Sequence, residues 1–136
     1  MRGMVLIGIR ELFSIKGRIN RKKYIVYFLW VNIFTIIMGI ESFYFLRYLA
    51  YLAPLPNYFG ALAIIVPMFI GIGGRVARYC LSVKRLHDIN NNGLIAFVIF
   101  IPGVEILLML YLFMIKGNEG FNAYGSDPIK INYLEE

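Results

Sequence analysis

Between Tyr24 and Leu46 the chain reads YIVYFLWVNIFTIIMGIESFYFL, with Asn32 and Glu41 as its strongly polar members. A run this long and apolar leaves few folds open. The hydrocarbon layer of a bilayer asks for about 20 consecutive apolar residues per crossing helix, whereas a small soluble domain has no core that would surround such a helix. Two further runs follow: YFGALAIIVPMFIGIGG from Tyr58 to Gly74, and LIAFVIFIPGVEILLMLYLFMI from Leu94 to Ile115. Hydrophobic residues make up 60% of the 136, against roughly 45–50% in soluble domains. Pro67 and Pro102 argue against soluble helix interiors, but membrane helices tolerate proline because neighbours and waters satisfy the freed carbonyls. The expectation is one all-α integral membrane domain over residues 1–136. It has about three transmembrane helices, 24–46, 58–74 and 94–115, between a basic interfacial segment, 1–23, and a polar tail, 116–136.

The apolar patch from Met4 to Ile9 is too short for a signal peptide and has no small-residue cleavage site after it. Val5, Leu6, Ile9, Leu12 and Phe13 instead follow helical spacing, with Arg2 and Arg10 available to headgroups, as in an amphipathic segment lying at the interface. Charge sets the orientation. Residues 1–23 carry a net +6, residues 38–57 sum to zero, residues 75–93 carry +3 and the tail −2. The positive-inside rule puts the N-terminus and the 75–93 connection in the cytoplasm. Phe43, Tyr44, Phe45, Tyr48, Tyr51, Tyr58 and Phe59 then fall at the opposite edge, where an aromatic belt belongs. The last run has two readings. A single span kinked at Pro102 places the tail outside; a re-entrant hairpin at Pro102-Gly103 returns it beside His87. The single span is the expectation, since a re-entrant turn must be sheltered from lipid and a small chain shelters it poorly.

Two polar clusters interrupt this pattern. Arg18, Arg21, Lys22 and Lys23 precede the first span, where anionic lipid headgroups attract basic residues. Arg75, Arg78, Ser82 and Arg85 fall at i, i+3, i+7 and i+10, one polar stripe on a helix continuing out of the second span. The stripe leads to His87 and Asp88, and then to Asn90-Asn91-Asn92-Gly93, residues suited to a helix terminus and a tight turn. His87 is the only histidine; without a nucleophile motif beside it, a hydrogen-bonding role outweighs catalysis. Cys80 is the single cysteine, so neither an intramolecular disulfide nor a thiolate metal site can form. Glu105 lies near the middle of the third run. A carboxylate there must be protonated or paired, with Arg75 and Arg78 as candidates.

Three segments together resemble a bacterial inner-membrane family, domain of unknown function 805, the YhaH-like proteins. Ile15-Lys16-Gly17-Arg18-Ile19-Asn20-Arg21, with Phe13 nearby, is similar to the family's Phe-x-Gly-Arg-x-x-Arg lead into the first helix. Lys84-Arg85-Leu86-His87-Asp88 is similar to its Arg-Leu-His-Asp corner, and Ile101-Pro102 to the Ile-Pro of its last helix. Gly117 to Pro128 follows its tail pattern, including Asn122, Tyr124, Gly125, Asp127 and Pro128. Ile25, Asn92, Leu94 and Glu105 depart from the pattern. The resemblance implies a small helical inner-membrane protein and no established activity.

The sequence thus predicts a multi-pass protein of the bacterial inner (plasma) membrane, non-enzymatic, with a structural or interaction role. Arg18, Arg21, Arg85, His87 and Asp88 form a cytoplasmic-face polar cluster. Its partners are the bilayer and anionic headgroups; no cofactor, metal or nucleic acid is expected. The alternative is a channel or transporter subunit using Glu105 with Arg75 or Arg78, necessarily a homo-oligomer because three short helices enclose no pore. An enzyme ranks third, needing a cleft that converges on His87 and Asp88.

Overall fold

The computed structural model describes residues 9–52 and 58–130, and every element in them is helical. The short α1, Ile9–Leu12, precedes α2, Arg21–Leu52, and α3, Tyr58–Asp88. A 3-10 helix, Gly93–Phe100, and α4, Val104–Met114, complete the order. Two helices are long and apolar enough to cross a membrane, Arg21–Leu52 and Ala61–Asp88, and α4 is a shorter apolar helix. The expected runs 24–46 and 58–74 lie inside α2 and α3. Of the amphipathic N-terminal segment, Met4 to Gly8 falls outside the described residues.

The chain divides into two compact units, Leu29–Arg75 and the remainder. In the first, Trp30, Phe34, Tyr44, Phe45, Ile64 and Phe69 are exposed, the outward apolar surface that lipid tolerates and water does not. The two helices approach closely inside this unit at Gly74: a Cβ there would run into the Thr35 side chain, with the Thr35 Cβ at 3.0 Å.

The other unit surrounds the end of α3. Every residue from Cys80 to Leu86 is buried, so Ser82 and Arg85 do not form a separate polar stripe; this stretch is enclosed on all sides. Tyr24 begins the apolar run of α2 and shares a 3.0 Å hydrogen bond with Ser82. Its ring joins Phe28 and Phe113 in a cluster with centroids 5.6–5.8 Å apart.

The run from Leu94 to Ile115 departs from the favoured single span kinked at Pro102 and takes the form of the alternative, a hairpin at Pro102-Gly103. It folds back on itself, the 3-10 helix against α4, because three adjacent residues each stop a helix. Ile101 precedes a proline and is extended, φ −94° and ψ 110°, the conformation a following proline imposes. Pro102 has no N–H to donate, and Gly103 takes φ +84°, which residues with a Cβ resist. Shelter for this turnback comes from α3 itself: Tyr79 packs on Phe97 and Phe100, at 5.0 and 5.7 Å, and Ala96 and Ile99 are buried. Glu105 therefore stands half-buried in the first turn of α4, where a carboxylate suits the helix dipole, rather than at the centre of one long helix.

Candidate functional site

The α3 terminus is built by asparagines. Asn91 N–H donates to Leu86 O at 2.8 Å and Asn90 N–H to His87 O at 3.1 Å, the paired bonds of a Schellman ending. Asn90 supplies the left-handed residue, φ +58°. The side chain of Asn92 then accepts from Leu94 N–H at 2.9 Å and caps the 3-10 helix. This corner holds Arg85, His87 and Asp88 at the meeting point of three segments.

Asp88 is the hub. Its Oδ1 accepts from Arg18 Nε at 3.2 Å and its Oδ2 from Arg85 Nη1. Both guanidiniums are buried, with side chains 1% and 0% exposed, so a single carboxylate faces two buried cations. The remaining donors go to backbone carbonyls. Arg18 Nη1 reaches Gly120 O at 2.7 Å and Gly125 O at 3.0 Å, and Arg18 Nη2 reaches Asn118 O at 2.5 Å. Arg85 Nε donates to Leu112 O at 3.2 Å and Nη2 to Ile115 O, carbonyls at the negative end of the α4 dipole.

The tail forms a compact loop that fits this hub. Asn122 and Gly125 exchange backbone hydrogen bonds of 3.1 Å, and Asn122 Oδ1 accepts from Tyr124 N–H at 2.9 Å. Gly125 has φ +125°, which turns its carbonyl toward Arg18. The carboxylate of Asp127 accepts from Gly120 N–H at 3.0 Å and Ile129 N–H at 2.9 Å, and these two donors hold it below the usual carboxylate range. Asn122 Nδ2 donates to His87 O at 2.9 Å. Asn118 N–H donates to Asp88 O at 2.8 Å.

His87 stacks flat on Tyr124, with centroids 3.9 Å apart and planes 6° apart. Its Nδ1 lies 3.3 Å from Gly17 O, a carbonyl that can only accept, so Nδ1 carries the proton and Nε2 is left as the acceptor of the neutral ring. The ring thus joins the tail to the segment before α2.

Of the predicted cluster, Arg18, Arg85, His87 and Asp88 come together, and Asn122, Tyr124, Gly125 and Asp127 join them. Arg21 stands beside the hub rather than in it, exposed, donating to Met114 O at 3.3 Å. Glu105 belongs to the turnback. Arg18 carries two expectations, a headgroup contact and a place in the polar cluster; its guanidinium takes the second, turned onto Asp88 and the tail. Lys84, buried, donates to the Glu11 carbonyl, a contact that no side-chain pattern announces because its acceptor is backbone.

Residues 12–126 match the family described as Protein of unknown function (DUF805). The chain belongs to the DUF805 family. It is 28% identical over 127 residues to inner membrane protein YhaI of Escherichia coli strain K12, covering 88% of this chain and 90% of that one. The YhaI protein of Escherichia coli O157:H7 matches to the same extent. No solved structure matches. The DUF805 match begins at the last residue of α1 and contains every hub residue except Asp127, one position beyond its end.

Proposed function

We propose that this chain is a non-enzymatic, multi-pass inner-membrane protein whose polar corner is a clasp. The clasp fastens the stretch before α2, the end of α3 and the tail into one rigid face for interaction. The observation that carries this reading is the Asp88 carboxylate held between Arg18 and Arg85, whose other donors end on carbonyls of the tail and of α4. Groups arranged so are committed to holding chain segments together. In this reading α2 and α3 span, and residues 94–115 form a re-entrant hairpin. Eight residues of 3-10 helix and eleven of α4, at about 2.0 and 1.5 Å per residue, each reach roughly 16 Å. That is half of a hydrocarbon layer of about 30 Å, so the hairpin dips to the midplane and returns.

The test is Asp88→Ala and Arg85→Ala in the full chain. Removing one partner of a buried pair costs about 3–5 kcal/mol, so thermal stability in detergent should fall and the tail should become protease-sensitive. Normal stability together with a lost cellular activity would point instead to chemistry at His87 and Asp88. Altered proton flux in vesicles on Glu105→Gln, with folding intact, would favour the transport reading.

A further inference from the structure

A cleft of about 290 Å³ opens between the stretch before α2 and the end of α3. Lys16, Lys23 and Lys84 line it together with Ser14, Glu11 and Arg18. The guanidinium of Arg18 is turned onto Asp88 and the tail carbonyls, which leaves three lysines and one acid, Glu11, among the lining residues. Lys84 has three N–H donors, and the Glu11 carbonyl, a neutral group, takes one. Ser14 Oγ accepts from Lys16 N–H at 3.2 Å, and its own hydroxyl proton can be donated. The walls thus gather donors and positive charge in a space at the small end of ligand pockets, which run from about 300 Å³ upward.

The level of the cleft matters as well. Tyr24, where the apolar run of α2 begins, is bonded to Ser82, two residues before Lys84, and Lys23 immediately precedes Tyr24. The cleft therefore lies at the boundary between apolar and polar chain, the level of the phosphate layer of a bilayer.

We propose that this cleft binds a phosphate-bearing anion, either the headgroup phosphate of an anionic phospholipid or free inorganic phosphate. Binding adds negative charge to a wall that holds three lysines and one acid, Glu11, whose charge already acts on Lys84.

The experiment uses the full chain in detergent at 0.15 M salt, where the Debye length of about 8 Å screens distant charges. Short-chain phosphatidylglycerol, phosphatidylcholine and inorganic phosphate are the probes, read by thermal shift and by native mass spectrometry. Lys16→Gln and Lys84→Gln should each weaken phosphatidylglycerol binding about fivefold, as neutralising one basic group at such a surface does. Lys22→Gln removes the same charge from an exposed position outside the cleft walls and should stay within twofold. The same pattern with inorganic phosphate and none with phosphatidylglycerol identifies the free anion as the ligand. Equal losses in Lys22→Gln, or binding of neither anionic probe, overturn the proposal. Should Lys84→Gln fail to fold, Lys16→Gln decides alone, since Lys16 is exposed in an irregular stretch.

Discussion

At the scale of single residues, the clasp depends on polar groups whose partners are mostly main chain. Asp127 shows the consequence for pH. Its carboxylate accepts two backbone N–H groups that exist only when the tail loop is formed, so its folded pKa lies below the unfolded one, about 3.9. A group depressed in this way stabilises the loop above the unfolded pKa, and the contribution is lost as pH falls through the folded value. Limited proteolysis of the tail should therefore accelerate below about pH 4, and Asp127→Asn should be cut more readily at neutral pH with a weaker dependence on acid. An unchanged pH profile in the variant would assign the acid sensitivity elsewhere. Arg85, His87 and Asp88 were legible in the sequence because charges set against an apolar run must find partners. The partners themselves were not, since Leu112, Ile115, Asn118, Gly120 and Gly125 contribute carbonyls, which carry no residue signature. For the same reason Arg18 is legible as a member of the polar cluster, while its bonds to the tail carbonyls are not.

At the scale of elements, apolar runs located α2 and α3 well, and misled only where length was read as continuity. Leu94 to Ile115 is long enough to span, yet Ile101-Pro102-Gly103 contains an extended residue, a missing donor and a left-handed residue in succession. A kink is the expectation from sequence because a small chain has little protein to shelter a turnback. Tyr79, Phe97 and Phe100 supply that shelter, a contact across the chain that periodicity does not report. Inside the Leu29–Arg75 unit the close approach at Gly74 is likewise invisible to hydropathy. Any Cβ at position 74 meets the hydroxyl and methyl of Thr35, whose hydroxyl already donates to Val31 O at 2.6 Å. Gly74→Ala should destabilise by about 1–3 kcal/mol through overpacking, and Thr35→Ala should recover most of that loss by removing the two clashing atoms. Detergent unfolding of the two single variants and the double one measures the coupling; additive effects would mean the helices do not meet there as described.

At the scale of the whole molecule, the clasp constrains topology without any assumption about which side is which. Arg18 is bonded to the carbonyls of Asn118, Gly120 and Gly125, so the segment before α2 and the tail must share one side of the membrane. An even number of spans satisfies this and three spans do not, which is the physical ground for preferring two spans and a hairpin. Charge then chooses the side. In the proposed two-span arrangement the stretches carrying +6 and +3 share the face of the tail, and the end of α2 that carries Arg47 lies at the opposite face. Neither basic stretch has to be translocated in this arrangement; the acidic tail, −2 overall, contributes little to the rule. Single cysteines at Lys16, Tyr51 and Glu119, all exposed, in a Cys80→Ala background, separate the alternatives. Lys16→Cys and Glu119→Cys should react with a membrane-impermeant thiol reagent only after the cytoplasmic face is opened, and Tyr51→Cys should react in intact spheroplasts. Reaction of Glu119→Cys in intact spheroplasts would restore the three-span arrangement and break the clasp reading with it, because Gly120 could not then reach Arg18.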